Sequence, residues 1–239
     1  MQSYKEFSQI YDLLMDIDYE KWTSFIIDKL KVSKKILEAA CGTGGITKIL
    51  AEYNYKVTAF DLSEDMLMRA YEKLKQSPMV RLLNQNMVDF QIDDRFDAAI
   101  CCCDGVNYLN KEEVKSFFER IYNHLEAGSK FIFDISTKYK YKKMFNDTYV
   151  YDDGDIFYVW ENESVEDGII NIEINFFIKD AINKYHRITE EQTQYVYTTE
   201  EIVCILKDAG FRSMEIFDDY NEKEYSEKSL RAVFVATKE

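Results

Sequence analysis

Ile36-Leu37-Glu38-Ala39-Ala40-Cys41-Gly42-Thr43-Gly44-Gly45 decides how the rest of the chain is read. Apolar residues run into an acidic residue and then into a turn holding three of the eight glycines. Ile46, Ile49, Leu50 and Tyr53 follow at helical spacing. A strand, a tight loop and a helix start form the arrangement that lets a backbone approach a nucleotide-like ligand closely.

Outward from that turn the pattern repeats. Upstream, Phe7, Ile10, Tyr11 and Leu14 share one helical face, and Trp22, Phe25, Ile26 and Leu30 another. Downstream, strands are expected at Lys35–Ala40, Lys56–Phe60, Val80–Asn84, Phe96–Cys103 and Lys130–Ile135. Ser63 is placed to cap one intervening helix, and Asn110 with Glu113 to box the start of another that Gly128 would close. Alternating strands and helices imply a parallel sheet with right-handed crossovers. From about Tyr149 to Tyr197 the helical period vanishes. Turn signals at Asp152-Asp153-Gly154, Glu166-Asp167-Gly168 and Asp180–Asn183 separate three expected antiparallel strands, 156–164, 169–179 and 184–197. Thr198 and Glu201 restart a helix that Gly210 stops, and Phe211–Phe217 and Arg231–Thr237 finish the sheet.

The expected fold is therefore α/β: a Rossmann-like, seven-stranded, mostly parallel sheet with helices on both faces and its last strand antiparallel. It carries an inserted three-stranded antiparallel lid. The core spans 1–137 and 199–239, and the insertion 138–198.

Composition narrows the function. A net charge of −14 speaks against a broad nucleic-acid or anionic-membrane surface, since both need clustered Lys and Arg. No apolar run nears the roughly 20 residues of a membrane span, and no signal-peptide core is visible. The five cysteines show neither CxxC nor Cys/His ligand spacing, so reduced thiols, no metal and a cytoplasmic setting are expected.

Asp61 ends the second strand, 17 residues after Gly44. A carboxylate there can accept both hydroxyls of an adenosine ribose, and the glycine turn upstream favours that role over helix capping. A nicotinamide fingerprint fails because Thr47 stands where its third glycine belongs, and no Gly-Lys-Ser/Thr follows to make a P-loop. The loop suits an adenosine ligand without a pyrophosphate.

With these residues the chain resembles the class I S-adenosylmethionine-dependent methyltransferases. Glu38-x-Ala40-x-Gly42-x-Gly44 looks like their first motif and Asp61-Leu62-Ser63-x-x-Met66-Leu67 their second. Gln85-Asn86-Met87-x-Asp89-Phe90 resembles the third, and Phe96-Asp97 through Cys102 with Asn107-Tyr108-Leu109 the fourth. Phe7-x-x-x-Tyr11-Asp12 and Tyr19-x-x-Trp22 are similar to a bacterial branch laid out like glycine and amino-sugar N-methyltransferases.

The resemblance implies that Ala40, Gly42 and Gly44 line the methionine part of S-adenosylmethionine and that Asp61 holds the ribose. It implies Leu62 and Met87 around the adenine, Asn86 near its amine, Cys102 and Cys103 at the border, and Tyr11 and Trp22 closing over the cofactor. Ala40 and Asn86 stand where the family usually has Gly and Asp. Tyr185, Arg187 and Glu190 follow a branch pattern whose later His and Arg are Gln192 and Tyr195 here.

Methyl transfer from a sulfonium asks mainly for alignment at about 3–3.5 Å and exclusion of water, with a base optional. Asp104, Tyr108 and His186 are candidates for a base, and Tyr139, Tyr185, Arg187 and Glu190 for acceptor contacts. His124 is expected to cap or pack a helix end. The expected reaction is methyl transfer to nitrogen or oxygen of a small-molecule partner. The alternatives are a non-catalytic S-adenosylmethionine sensor and an RNA methyltransferase, the latter disfavoured by charge. Monomer and homodimer stay open, as does the acceptor.

Overall fold

Short apolar strands that each lead into an amphipathic helix can bury their side chains only in a parallel sheet covered on both faces. The computed structural model describes residue 11 and residues 17–31, 33–144, 148–166, 168–180 and 182–239. Helix α1 (Tyr19–Leu30) precedes β1 (Lys35–Ala39), α2 (Gly45–Glu52), β2 (Lys56–Asp61), α3 (Glu64–Leu74), β3 (Val80–Asn84) and β4 (Phe96–Cys101). After a 3₁₀ turn at Gly105–Tyr108 come α4 (Lys111–His124), β5 (Leu125–Ser136) and α5 (Lys138–Met144). Strands β6 (Tyr149–Asp152), β7 (Ile156–Glu166), β8 (Ile169–Lys179) and β9 (Tyr185–Tyr195) follow, then α6 (Thr199–Ala209), β10 (Ser213–Asp218) and β11 (Arg231–Thr237). Of the expected first helix, Tyr11 is helical, while Phe7, Ile10 and Leu14 lie outside the described residues.

The seven-stranded sheet has the order β10-β11-β5-β4-β1-β2-β3. β1 pairs in parallel with both β2 and β4, whereas β11 runs antiparallel to β5 and β10. Strand order reverses between β1 and β4, and ligands of open α/β sheets bind beyond the strand ends at such a point. Alternation divides the core: Leu37 faces the cluster with α4 and α6, and Ile36 the cluster with α1 and α2. Ser63, Asn110 with Glu113, and Thr198 with Glu201 cap their helices as expected, and Gly210 ends α6 at φ +115°.

Three expectations need correction. The antiparallel sheet has four strands, β6-β7-β8-β9, rather than three. All four residues of β6 are exposed, so no apolar alternation announces it. Helix α5 also lies in the stretch read as an insertion. Finally, Gly128 does not close α4, which ends at His124. Four residues of β5 bulge out between Leu125, opposite Phe96, and Lys130, opposite Ala98. Gly128 takes φ +79° in that bulge and donates its N–H to the Lys238 carbonyl at 2.7 Å.

The second sheet turns Ile170, Ile172, Ile174, Phe176 and Ile188 inward, where they pack with Met66 and Tyr141 of the core. Asn107 joins the two sheets. Its side chain, wholly buried, accepts from Ser136 N at 2.8 Å and donates to Tyr195 O at 2.8 Å and Ser136 O at 3.4 Å. Each buried backbone group left unpaired costs about 1–3 kcal/mol. Asn107→Ala should therefore lose about 2–4 kcal/mol of stability, read as a fall in the urea midpoint, whereas a loss under about 0.5 kcal/mol would show the joint to be dispensable.

Candidate active site

The loop after β1 is shaped by backbone before any side chain enters. Ala40 sits at φ +52°, a left-handed conformation costing an L-residue roughly 1–2 kcal/mol, which explains why the wider pattern has glycine there. Cys41 N–H donates to Phe60 O at 3.1 Å, pinning the loop to β2. Gly42, at φ +55°, donates its N–H to Asp61 Oδ2 at 2.8 Å, and a Cβ on it would meet no atom within 4 Å. Gly44 differs: a Cβ there would meet Leu74 at 2.9 Å and Ala70 at 3.2 Å, so this glycine serves close packing of α2 against α3.

Beyond Gly42 opens a hollow walled by Ala40, Cys41, Thr43, Cys102 and Cys103 and roofed by Tyr11 and Tyr19. Glu38 forms its floor, nearly fully buried, with Thr47 Oγ1 donating to it at 2.7 Å. Burial pushes the Glu38 carboxyl up to about 8, with Asp61 adding to the rise and the Thr47 bond opposing it. Burial likewise raises Asp61, against the N–H groups of Ser63, Gly42 and Leu62 that favour its charge. The Cys41, Cys102 and Cys103 thiols are pushed well above their ordinary range, first by burial and then by nearby carboxylates.

At the end of β4 the chain turns through two consecutive left-handed residues, Cys103 at φ +60° and Asp104 at φ +49°. Such strain persists only where surroundings over-determine it. Here Asp104 N–H donates to Asp134 Oδ2 at 2.9 Å. Its carboxylate accepts from Ser136 Oγ at 3.0 Å and pairs with Arg231 at 3.3 Å. Arg231 also pairs with Asp134, which takes a further bond from Tyr220 Oη at 2.6 Å. Burial alone would raise Asp104, but Lys140 and Arg231 outweigh it and hold the carboxyl below the usual range. Asp134, shut off from solvent, is raised by burial despite Arg231.

Asp104 also opens onto a second hollow, between the core and the antiparallel sheet. Lys140, Tyr141, Trp160, Asn162, Ile170, Ile172 and Gln194 complete its wall. Tyr141 Oη donates to Gln194 Oε1 at 2.6 Å, and Trp160 Nε1 to Asn162 Oδ1 at 2.7 Å.

The residues singled out in the sequence divide accordingly. Tyr11, Ala40, Gly42, Cys102 and Cys103 meet at the first hollow, with Asp61 at its edge through Gly42. Leu62, 68% exposed, and half-buried Met87 follow the ends of β2 and β3. Asn86 Oδ1 accepts from Val88 N at 3.0 Å, while Asn84, which the sequence did not point out, ties the Asp61 and Leu62 carbonyls at 3.1 and 2.9 Å. Trp22 is absent from the hollow. It stacks on Tyr220 at 4.3 Å beneath the Arg231 guanidinium, and Tyr19 takes the covering position, its ring against Gly45.

Of the base candidates, Asp104 lines the second hollow and Tyr108 Oη donates to Gln192 Oε1 at 2.9 Å. His186 is exposed and faces Asp180 at 3.0 Å, away from both hollows. Tyr139 lies under the Lys143 ammonium, its neighbours Lys140 and Tyr141 reaching the hollow instead. Tyr185 donates to Gly154 O, and Arg187 grips Asn175 Oδ1 on the outer face of the sheet. Glu190 is fully buried on the inner face, in line with Gln192 and Gln194. His124 bridges the Arg120 and Ile92 carbonyls at 2.7 and 3.0 Å, a packing role. Among the described residues no three His, Cys, Asp or Glu side chains stand together as a metal site, and no helix is long and apolar enough to cross a membrane.

The family model described as "Methyltransferase domain" matches residues 36–128. The chain is similar to "Putative methyltransferase YqeM" of Bacillus subtilis, at 35% identity over 98% of this chain and 97% of that one. The crystal structure of an S-adenosylmethionine-dependent methyltransferase from Clostridium acetobutylicum superposes with a TM-score of 0.91 at 34% identity, covering 98% of each chain. A glycine/sarcosine N-methyltransferase of Aphanothece halophytica is 25% identical over 90% of this chain and 81% of its own length. The chain belongs to the S-adenosylmethionine-dependent methyltransferases. It is a methyltransferase enzyme with S-adenosylmethionine as donor, and its acceptor is left open by that membership.

The raised thiols around the first hollow make a chemical prediction, because only a thiolate alkylates readily. Of the five cysteines, Cys204 alone is exposed. Iodoacetamide at pH 8 should label Cys204 in the native protein and leave Cys41, Cys102 and Cys103 unmodified until denaturant is added. Peptide mass spectrometry reads the sites, and early labelling of Cys103 would contradict the burial described.

Proposed function

We propose that this enzyme holds S-adenosylmethionine in the glycine-loop hollow and passes its methyl group to a small molecule in the hollow under the antiparallel sheet. One observation carries the reading: adjacent residues Cys103 and Asp104 line the first and the second hollow respectively. A donor and an acceptor seated in the two spaces would meet across a single peptide unit. The glycine/sarcosine N-methyltransferase similarity supports an acceptor of small size.

The residues present fit the cofactor. Gly42 leaves its backbone bare toward the hollow, two buried carboxylates face a ligand that carries positive charge, and Leu62 with Met87 offers apolar surface beyond Asp61. When bound, S-adenosylmethionine supplies a methyl group already activated on a sulfonium. Asp61 accepts the ribose hydroxyls while retaining Gly42 and Ser63, since each carboxylate oxygen has room for a further bond. Glu38 neutralises the cationic end. Tyr11, Tyr19 and the inner face of the second sheet exclude water, and Asp104 orients the acceptor. The second sheet thus acts as the substrate lid of residues 138–198.

Two charge-assisted hydrogen bonds at about 1.5 kcal/mol each correspond to about 100-fold in affinity. Asp61→Ala should weaken S-adenosylmethionine binding by about that factor in calorimetry, and unchanged affinity would remove Asp61 from the ribose role. Glu38 yields a pH prediction. With its carboxyl at about 8, the empty protein is protonated there at pH 7, whereas a cationic ligand favours the carboxylate. Binding should release a proton near pH 7, and affinity should rise from pH 6 to pH 8. Titrations in buffers of differing ionisation heat measure the proton, and Glu38→Gln should abolish its release.

A further inference from the structure

The charges at the mouth of the second hollow come as a spaced pair. Ser136 Oγ donates to Asp104 Oδ2 at 3.0 Å and accepts from Lys140 Nζ at 2.9 Å. Carboxylate and ammonium therefore stand no farther apart than the two bond lengths together. Yet they form no direct ion pair within 4.0 Å, and among the described residues Lys140 has no other carboxylate that close. Arg231 pairs with Asp104 directly, whereas Lys140 acts on the same carboxylate from farther off and gives its short bond to the Ser136 hydroxyl. Across from the pair lie Trp160, Ile170 and Ile172. A site of this kind offers an acceptor for N–H, a cation for an anionic group, and an apolar face for a hydrocarbon body.

We propose that the acceptor is a zwitterion of the amino-acid type, its amine on Asp104, its carboxylate on Lys140 and its aliphatic or aromatic side chain against Trp160, Ile170 and Ile172. This rests on the reading of the second hollow as the acceptor site. A neutral amine held at Asp104 lies beside Cys103, on the side of the first hollow. The bound ammonium first gives one proton to solvent by way of the Asp104 carboxylate. Its nitrogen lone pair then forms the new N–C bond as the S–C bond breaks and its electrons return to sulfur. The positive charge lost by the sulfonium appears on the N-methylammonium product. A simple amine would use Asp104 and the apolar wall but bring no anion into contact with Lys140, and a simple carboxylic acid would use Lys140 but offer no N–H to Asp104. A ligand bearing both groups satisfies the whole mouth.

The full chain saturated with S-adenosylhomocysteine, titrated calorimetrically, tests this. L-leucine, 3-methylbutylamine and N-acetyl-L-leucine serve as the zwitterionic, cationic and anionic probes of similar body. L-leucine should bind at least tenfold more tightly than either of the others. Lys140→Gln, which keeps a donor for Ser136 Oγ, should erase the preference for L-leucine over the amine while leaving affinity for S-adenosylhomocysteine within twofold. If the amine binds as well as L-leucine, or if Lys140→Gln keeps the preference, the zwitterion is wrong and the acceptor hollow stands. If S-adenosylhomocysteine binds but none of the three probes does, both the zwitterion and the placement of the acceptor fall.

Discussion

The paired charges of Asp104, Asp134 and Arg231 are the constraint on which the site hangs. Asp134 is fully buried in β5, where a lone charge would cost several kcal/mol. Arg231 supplies its partner from the other end of the chain. It can do so because β11 is antiparallel: the register sets Arg231 opposite Ser136, so the first residue of the last strand arrives at the C-terminal edge of the parallel strands. A parallel final strand would have delivered its far end there instead. The reward is local. With Arg231 in place, Asp104 N–H and carboxylate are both anchored, and two left-handed residues in a row can be kept. Trp22 and Tyr220 stack beneath the guanidinium and close off the water that would screen it.

What the sequence showed and what it hid follow from how local each signal is. The glycine turn, Asp61 and the N-caps at Ser63, Asn110 and Thr198 are short-range grammar, and all lie where the spacing put them. β4 was legible because a strand covered on both faces must be apolar throughout. β6 was not, since a strand with every residue exposed obeys no burial pattern. Gly128 misled because a glycine past a helix end reads as a cap, although here it serves a bulge whose partner is Lys238, over a hundred residues away. On α5, Lys140 and Tyr141 rather than Tyr139 line the second hollow, and the phase of a seven-residue helix cannot be set from sequence without knowing what it packs on. Asp134 and Arg231 carry a trace in the sequence: a carboxylate in the apolar run Phe131–Ile135, and an arginine opening the apolar strand Ala232–Ala236.

The antiparallel sheet divides its labour by face. Outward, Arg187 and Thr189 converge on Asn175, a polar cluster that ties β8 to β9. Inward, isoleucines and Phe176 give way along β9 to Glu190 and Gln194, both buried, and to Gln192. A sheet of this make can rest on the core through its apolar part and meet a polar guest with the remainder. Its attachment through Asn107 runs to Tyr195, the last residue of β9, and side-chain hydrogen bonds from Tyr108 to Gln192 and from Tyr141 to Gln194 carry it further along that strand.

Three cysteines line the hollow proposed above for the methyl donor, and that juxtaposition has a chemical consequence. Sulfur is a better nucleophile for a sulfonium methyl than nitrogen or oxygen, but only as thiolate. Burial and the surrounding carboxylates keep Cys41, Cys102 and Cys103 protonated. The burial and carboxylates that raise these thiols would thus protect the enzyme from alkylating itself: they make its own sulfurs the poorest acceptors in reach, and leave the reagent for its guest.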